Sequence, residues 1–154
     1  MKLLVSACLL GVLCRYDGKA KTHEGVCSLL EKHTMIPFCP EIYGGLSTPR
    51  SASERLGERV VAKTGGDVTE QFRRGAEEAL RLCRMYGCEA ALLKERSPSC
   101  GFGRIYDGSF TGSLRQGDGV TAALLAQNGV RIWGESQARQ ILAEWGAFDP
   151  AGEE

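Results

Sequence analysis

Four short apolar runs punctuate the chain: KLLVSA at 2–7, TMIPFC at 34–39, CEAALLK at 88–94 and VRIW at 130–133. Stretches of helical period stand between them. A run that is apolar at successive rather than alternate positions suits a strand covered on both faces. Such strands, separated by helices, pair in parallel through crossovers. The expectation is an α/β fold: a single three-layer domain with a mostly parallel, Rossmann-like sheet over residues 1–148, and a C-terminal tail at 149–154. A length of 154 residues fits one domain, and a domain of this size buries ~70% of its unfolded surface.

The clearest helix is 68–86, where Phe72, Ala76, Ala79, Leu80 and Cys83 share a face. Asp67 is expected as its N-cap with Glu70 completing a capping box, and Gly87 as its stop. Further helices are expected at 25–33, 119–128 and 137–145, and a further short strand at 59–63, closed by Gly65 and Gly66. The segments 40–50 and 95–103 (ERSPSCGFG) read as loops; Pro98 and two glycines bar regular structure from the second.

Lys and Arg total 19 against 19 Asp and Glu. That balance disfavours a partner gripped through its phosphates, so whole nucleic acid is not expected. No apolar run approaches the ~18 residues that span a bilayer, so no membrane partner is expected. The N-terminal segment 1–11 has one Lys and too short an apolar stretch for a signal peptide, and it reads as the first strand. The expected location is cytoplasmic.

Seven cysteines are the second constraint: Cys8, Cys14, Cys27, Cys39, Cys83, Cys88 and Cys100. An odd count without a secretion signal argues against a disulfide framework. Cys83 lies on the apolar helix face, Cys88 opens a buried strand and Cys27 sits in a helical patch; these three read as structural. Cys8 ends the first strand, Cys39 the second, and Cys100 lies in the loop after the third. In open α/β sheets, sites form beyond the carboxyl ends of the strands, so these three thiols are expected to converge. Cys14, in the same loop as Cys8, remains an open candidate.

A structural zinc ion wants four protein ligands, and neither His23 nor His33 stands at a zinc-like spacing from the thiols. Three thiolates can instead hold a [4Fe–4S] cluster with one iron open to a ligand. Glu41, two residues past Cys39, is a candidate acid/base beside such a centre. Ser97 and Ser99 flank Pro98 just before Cys100, and Lys94, Glu95 and Arg96 precede them. There is no Walker A or GxGxxG motif for a nucleotide cofactor.

Several strings then stand out in order: Ser6-Ala7-Cys8-Leu9-Leu10-Gly11 with Cys14-Arg15-Tyr16-Asp17-Gly18; Cys39-Pro40-Glu41 with Gly44-Gly45-Leu46 and Thr48-Pro49-Arg50; Leu93-Lys94-Glu95-Arg96-Ser97-Pro98-Ser99-Cys100-Gly101; Ile105-Tyr106-Asp107-Gly108; and Gly117-Asp118-Gly119-Val120-Thr121-Ala122. Together they resemble the bacterial thiouracil desulfidases, from about residue 2 to 133. The resemblance implies a [4Fe–4S] cluster on Cys8, Cys39 and Cys100 and a non-redox removal of sulfur from a thiolated pyrimidine. Glu41 would be the acid/base, assisted by Ser97 or Ser99. Its partners would be a small thiolated nucleobase and the cluster-assembly machinery. Ser47 stands where the family often has proline, and Cys14 also matches a family cysteine, leaving Cys8 and Cys14 both open as the N-terminal ligand.

Physically, a soft thiocarbonyl sulfur suits an open iron, which polarises the C–S bond. Water activated by Glu41 then attacks the carbon, with a serine or Lys94 moving a proton or steadying charge. Two other readings stand beside this one: Cys100 as a metal-free covalent nucleophile, and a binding module that holds a thiolated nucleobase without turnover.

Overall fold

The computed structural model describes residues 1–145; the expected tail at 149–154 lies outside the described residues. In chain order the elements are β1 (Lys2–Ser6), α1 (Glu24–Cys27), β2 (Thr34–Phe38), α2 (Pro40–Tyr43), β3 (Ser53–Leu56), β4 (Arg59–Ala62), α3 (Thr69–Tyr86), β5 (Ala90–Leu93), β6 (Arg104–Tyr106), β7 (Leu114–Gln116), α4 (Val120–Gln127), β8 (Arg131–Gly134) and α5 (Ala138–Trp145). Short 3-10 turns follow β1, α1 and β8.

The four apolar runs form one sheet in the order β2-β1-β5-β8, and every pairing in it is parallel. Alternation along the strands explains why they are apolar throughout. Leu3, Val5, Ala90 and Leu92 face one layer, with Val26 of α1 and Ala138 and Ile141 of α5. Leu4, Ala91 and Leu93 face the other, with Ala79 and Cys83 of α3 and Ala122 and Leu125 of α4. Both faces are covered, and the three expected layers are present.

The chain leaves β1 for β2 on one side, then crosses back to place β5 on the other. The strand order therefore reverses at β1, and a crevice opens between the carboxyl ends of β1 and β5. This topological switch point is where the site lies.

Several local expectations are corrected. Cys8 does not end β1; it sits in the 3-10 turn Ala7–Leu10 immediately after it. The segment after Cys39 is not an open loop: Pro40 at the first helical position starts the one-turn helix α2, with Glu41 in that turn. Val68, not Asp67, is the N-cap of α3. Asp67 accepts the Thr69 N–H at 2.9 Å, and Glu70 pairs with Arg73 at 2.7 Å, so no capping box forms. The strand expected at 59–63 is β4, but it pairs antiparallel with β3 in a hairpin apart from the main sheet. A second hairpin, β6–β7, follows the 95–103 loop. Gly87 does end α3, in the left-handed region at φ 66°.

Two glycines fix where α2 lies. A side chain on Gly75 of α3 would strike the Pro40 carbonyl, and one on Gly44 would strike the Gln71 carbonyl. The helices thus touch backbone to backbone, and the first turn of α2 is held against the middle of α3.

Candidate functional site

A cavity of about 490 Å³ opens at the switch point. Its walls come from the turn after β1, the α2 turn, the 94–100 loop and both hairpins. Cys8, Cys39 and Cys100 all line it, as does Cys14. The expected convergence of the three strand-end thiols is therefore present, and a fourth thiol joins them. Cys27 faces elsewhere, with its thiol donating to the Leu9 carbonyl at 3.7 Å. Cys83 is buried against Cys88 on the far side.

The thiols interact with one another. Cys14 is hydrogen-bonded to Cys39 and to Cys8, and the Cys39 thiol also donates to the Cys14 carbonyl at 3.7 Å. The bond with Cys39 favours a Cys14 thiolate, but the bond with Cys8 and burial outweigh it and Cys14 is pushed up to about 11. The bond with Cys14, then burial, push Cys39 well above the usual thiol range. Burial pushes Cys100 up to about 12, against the opposing pull of hydrogen bonds with Ser6 and Ser99. These are not activated nucleophiles. They are crowded neutral thiols whose protons a soft metal centre would displace.

Glu41 sits beside them, held from both sides. Its Oε1 accepts from Arg50 Nε at 3.1 Å, and its Oε2 accepts from Ser99 Oγ at 3.0 Å. The Arg50 side chain is only 7% exposed. Its Nη2 donates to the Cys14 carbonyl at 2.9 Å, and its Nη1 to the Ser47 carbonyl and Thr48 Oγ1. One guanidinium thus joins the Cys14 loop, the 47–50 loop and α2. In the sequence, Arg50 stands within the Thr48-Pro49-Arg50 motif with nothing to mark its role. Its partners lie 9 and 36 residues away, and only a buried Arg opposite a cavity carboxylate would have marked it.

The two serines separate. Ser97 Oγ accepts the Cys100 N–H at 2.7 Å and the Ser99 N–H at 3.2 Å, closing the turn that presents Cys100. Ser99, 1% exposed, is the serine that touches Glu41. A hydroxyl has one proton and an ionised carboxylate only accepts. Ser99 Oγ donates to Glu41 and also lies 3.7 Å from Cys100 Sγ, so its one proton is shared between them and the 3.1 Å contact between the serines runs from the Ser97 hydroxyl to Ser99 Oγ. Helix α4 anchors this turn: the amides of Val120, Thr121 and Ala122 at its N-terminus donate to the Pro98 and Ser99 carbonyls. A side chain on Gly119 would collide with Ser99 backbone.

Lys94 lines the cavity, but its ammonium is committed. It pairs with Glu135 Oε2 at 2.9 Å and donates to the Glu95 carbonyl at 3.1 Å. Glu95 accepts from the Ser136 N–H and hydroxyl. These two residues tie the loop after β5 to the turn after β8.

A three-layer α/β domain whose central sheet is parallel, with thiols and a clamped carboxylate at its switch point, defines a class: α/β proteins with a strand-end cysteine site. The comparisons specify it further. A model of the 2-thiouracil desulfurase family matches residues 3–137, and the chain belongs to that family. It is 41% identical over 150 residues to the uncharacterized protein YbbK of Bacillus subtilis (strain 168), covering 91% of this chain and 99% of YbbK. It is also similar to a solved structure of the [4Fe–4S]-dependent thiouracil desulfidase TudS (DUF523Vcz). There the identity is 47% and the TM-score 0.88, over 96% of this chain and 99% of that one. Among the described residues, no helix is long and apolar enough to cross a membrane.

Proposed function

We propose that this chain is a desulfidase that replaces the sulfur of a thiolated pyrimidine, thiouracil being the simplest, with oxygen from water and releases hydrosulfide. The cluster named for its TudS relative is proposed to bind here on Cys8, Cys39 and Cys100. The donor set fits such a group. Soft thiols line one cavity. Cys8, Cys39 and Cys100 would hold the group through their sulfurs. When bound, the cluster supplies a soft Lewis-acid position for the thiocarbonyl sulfur.

The observation that carries the reading is the clamped carboxylate. Arg50 and Ser99 occupy two of the roughly four acceptor positions of Glu41 and fix its plane beside the thiols. The remaining positions can accept a water proton as that water attacks the C–S carbon. The Ser97–Ser99 chain then adjusts hydrogen bonds around the newly protonated carboxyl. Thiocarbonyl plus water gives carbonyl plus hydrogen sulfide, so no electron donor enters the balance. Within this reading Ser99 is the assisting serine and Ser97 its support. Cys14 is a neighbour that holds Cys39 and Arg50 through its carbonyl.

The test is anaerobic reconstitution followed by iron quantification and 2-thiouracil turnover. We expect about four irons per chain, lost in Cys8→Ala, Cys39→Ala and Cys100→Ala but kept in Cys14→Ala. Glu41→Gln is expected to keep its iron and lose activity by about 10²–10⁴-fold. Full activity in Glu41→Gln overturns its role. A wild type that holds no iron overturns the cluster and returns the case to a bare thiol at Cys100, a reading the raised thiol proton affinity opposes.

A further inference from the structure

The loop that joins β6 to β7 reaches the cavity, and Phe110 and Gly112 from it stand in the wall. Phe110 has φ 57°, in the left-handed region that a bulky aromatic residue rarely occupies. Such a conformation persists only where the surroundings impose it. Here they do. Glu54 of β3, 9% exposed, turns its carboxylate toward the loop and accepts the Gly108 N–H at 2.9 Å and the Phe110 N–H at 3.1 Å, both on Oε1. Gly108 itself, at φ 96°, lies so close to β3 that an added side chain would strike Leu56. From within, Asp107 accepts from the Ser109 N–H and hydroxyl, and the Asp107 N–H donates to the Ser113 carbonyl at 3.0 Å. A buried charge on one hairpin thus fixes the backbone of an aromatic residue on the other. That residue lines the same cavity as the thiols and Glu41.

We propose that Phe110 is the ring-binding residue of this cavity, stacking on the flat face of the substrate heterocycle, and that Glu54 is the positioning residue that holds it there. The proposal rests on the desulfidase reading above. A neutral pyrimidine offers its sulfur, its edge groups and its two faces. On the reading above the thiol-held group would take the sulfur and Glu41 the attacking water, and the aromatic wall accounts for a face. Stacking on an aromatic side chain is strong for any base, so it orients the ring without competing for the sulfur.

The test uses uracil, which keeps the ring and lacks the sulfur, in calorimetric titration of reconstituted protein, together with thiouracil kinetics and iron content. Phe110→Ala is expected to weaken uracil binding about 5- to 150-fold and to raise the thiouracil KM more than it lowers kcat, with iron content unchanged. Phe110→Trp should recover most of the affinity and Phe110→Leu little of it. Glu54→Ala should resemble Phe110→Ala. Glu54→Gln, which keeps an acceptor oxygen, should bind like wild type. Uracil binding unaltered in Phe110→Ala, or equal in the Leu and Trp variants, overturns stacking while leaving desulfuration standing. A wild type that neither turns over thiouracil nor binds uracil overturns both.

Discussion

Ser97 and Ser99 are two residues apart and chemically identical, yet they answer to different neighbours. Ser97 caps two backbone amides and Ser99 bonds the carboxylate. Ser99→Ala is therefore expected to reduce turnover with little change in the melting temperature. Ser97→Ala leaves two amides without their acceptor and should cost about 1–3 kcal/mol of stability, read by denaturant titration. His33 gives a second residue-scale expectation. It is 8% exposed, and neither ring nitrogen has a partner among the described residues. Burial first, then the N-terminal amino group and Lys32, lower its proton affinity below the usual imidazole value of about 6.5. Above that pH the folded and unfolded chains both hold it neutral and it contributes nothing to the pH dependence. Below it the unfolded chain takes up a proton that the folded one resists, so stability falls as pH drops from 7.5 to 5.5. His33→Leu should flatten that slope in urea midpoints measured at the two values. Asp67, held at about 2 chiefly by its bonds with Thr69, titrates well below this window.

At the scale of elements, the contact between α2 and α3 carries the position of Glu41. Ala is a better helix former than Gly by ~1 kcal/mol, but in Gly75→Ala its methyl would overlap the Pro40 carbonyl. The expected result is a net loss of about 1–3 kcal/mol from overpacking and a fall in turnover as α2 is pushed away, measured by denaturation and steady-state assay of the same preparation. Elements also differed in how legible they were. The four sheet strands and α3 were readable because each buries a periodic or continuous apolar surface. Of the hairpin strands only β4 was readable: SERL, RIY and LRQ are short and carry charge, and Glu54 is buried to hold a loop rather than to fill a core. Helix α2 is a single turn, too short for periodicity, although Pro40 followed by Glu41 is a helix-start signal. Cys8, Cys39 and Cys100 could be grouped because each follows a strand that could be read. Cys14 and Arg50 belong to loops whose course depends on contacts far along the chain, so their places emerged only in the fold.

At the scale of the molecule, the proposed cluster would act as a cross-link among the turn after β1, α2 and the 94–100 loop. A ligand that binds only the folded chain stabilises it, by about 2.7 kcal/mol at a hundredfold excess over Kd. For a domain of this size that raises Tm by roughly 5–10 °C, so reconstituted protein should melt above the apo form in anaerobic calorimetry. An equal Tm would mean that the thiols are not drawn together by what they bind. The placement of these thiols also sets a schedule. Cys8 is made well before Cys100, Phe110 and the α4 amides that anchor the Ser99 turn. At ordinary elongation rates that gap is roughly 5–20 s. On the proposed ligand set, no nascent fragment ending before Cys100 can receive the cofactor. Delivery on that set waits for Cys100, so a donor would meet the mouth of the cavity rather than a peptide that carries Cys8 alone.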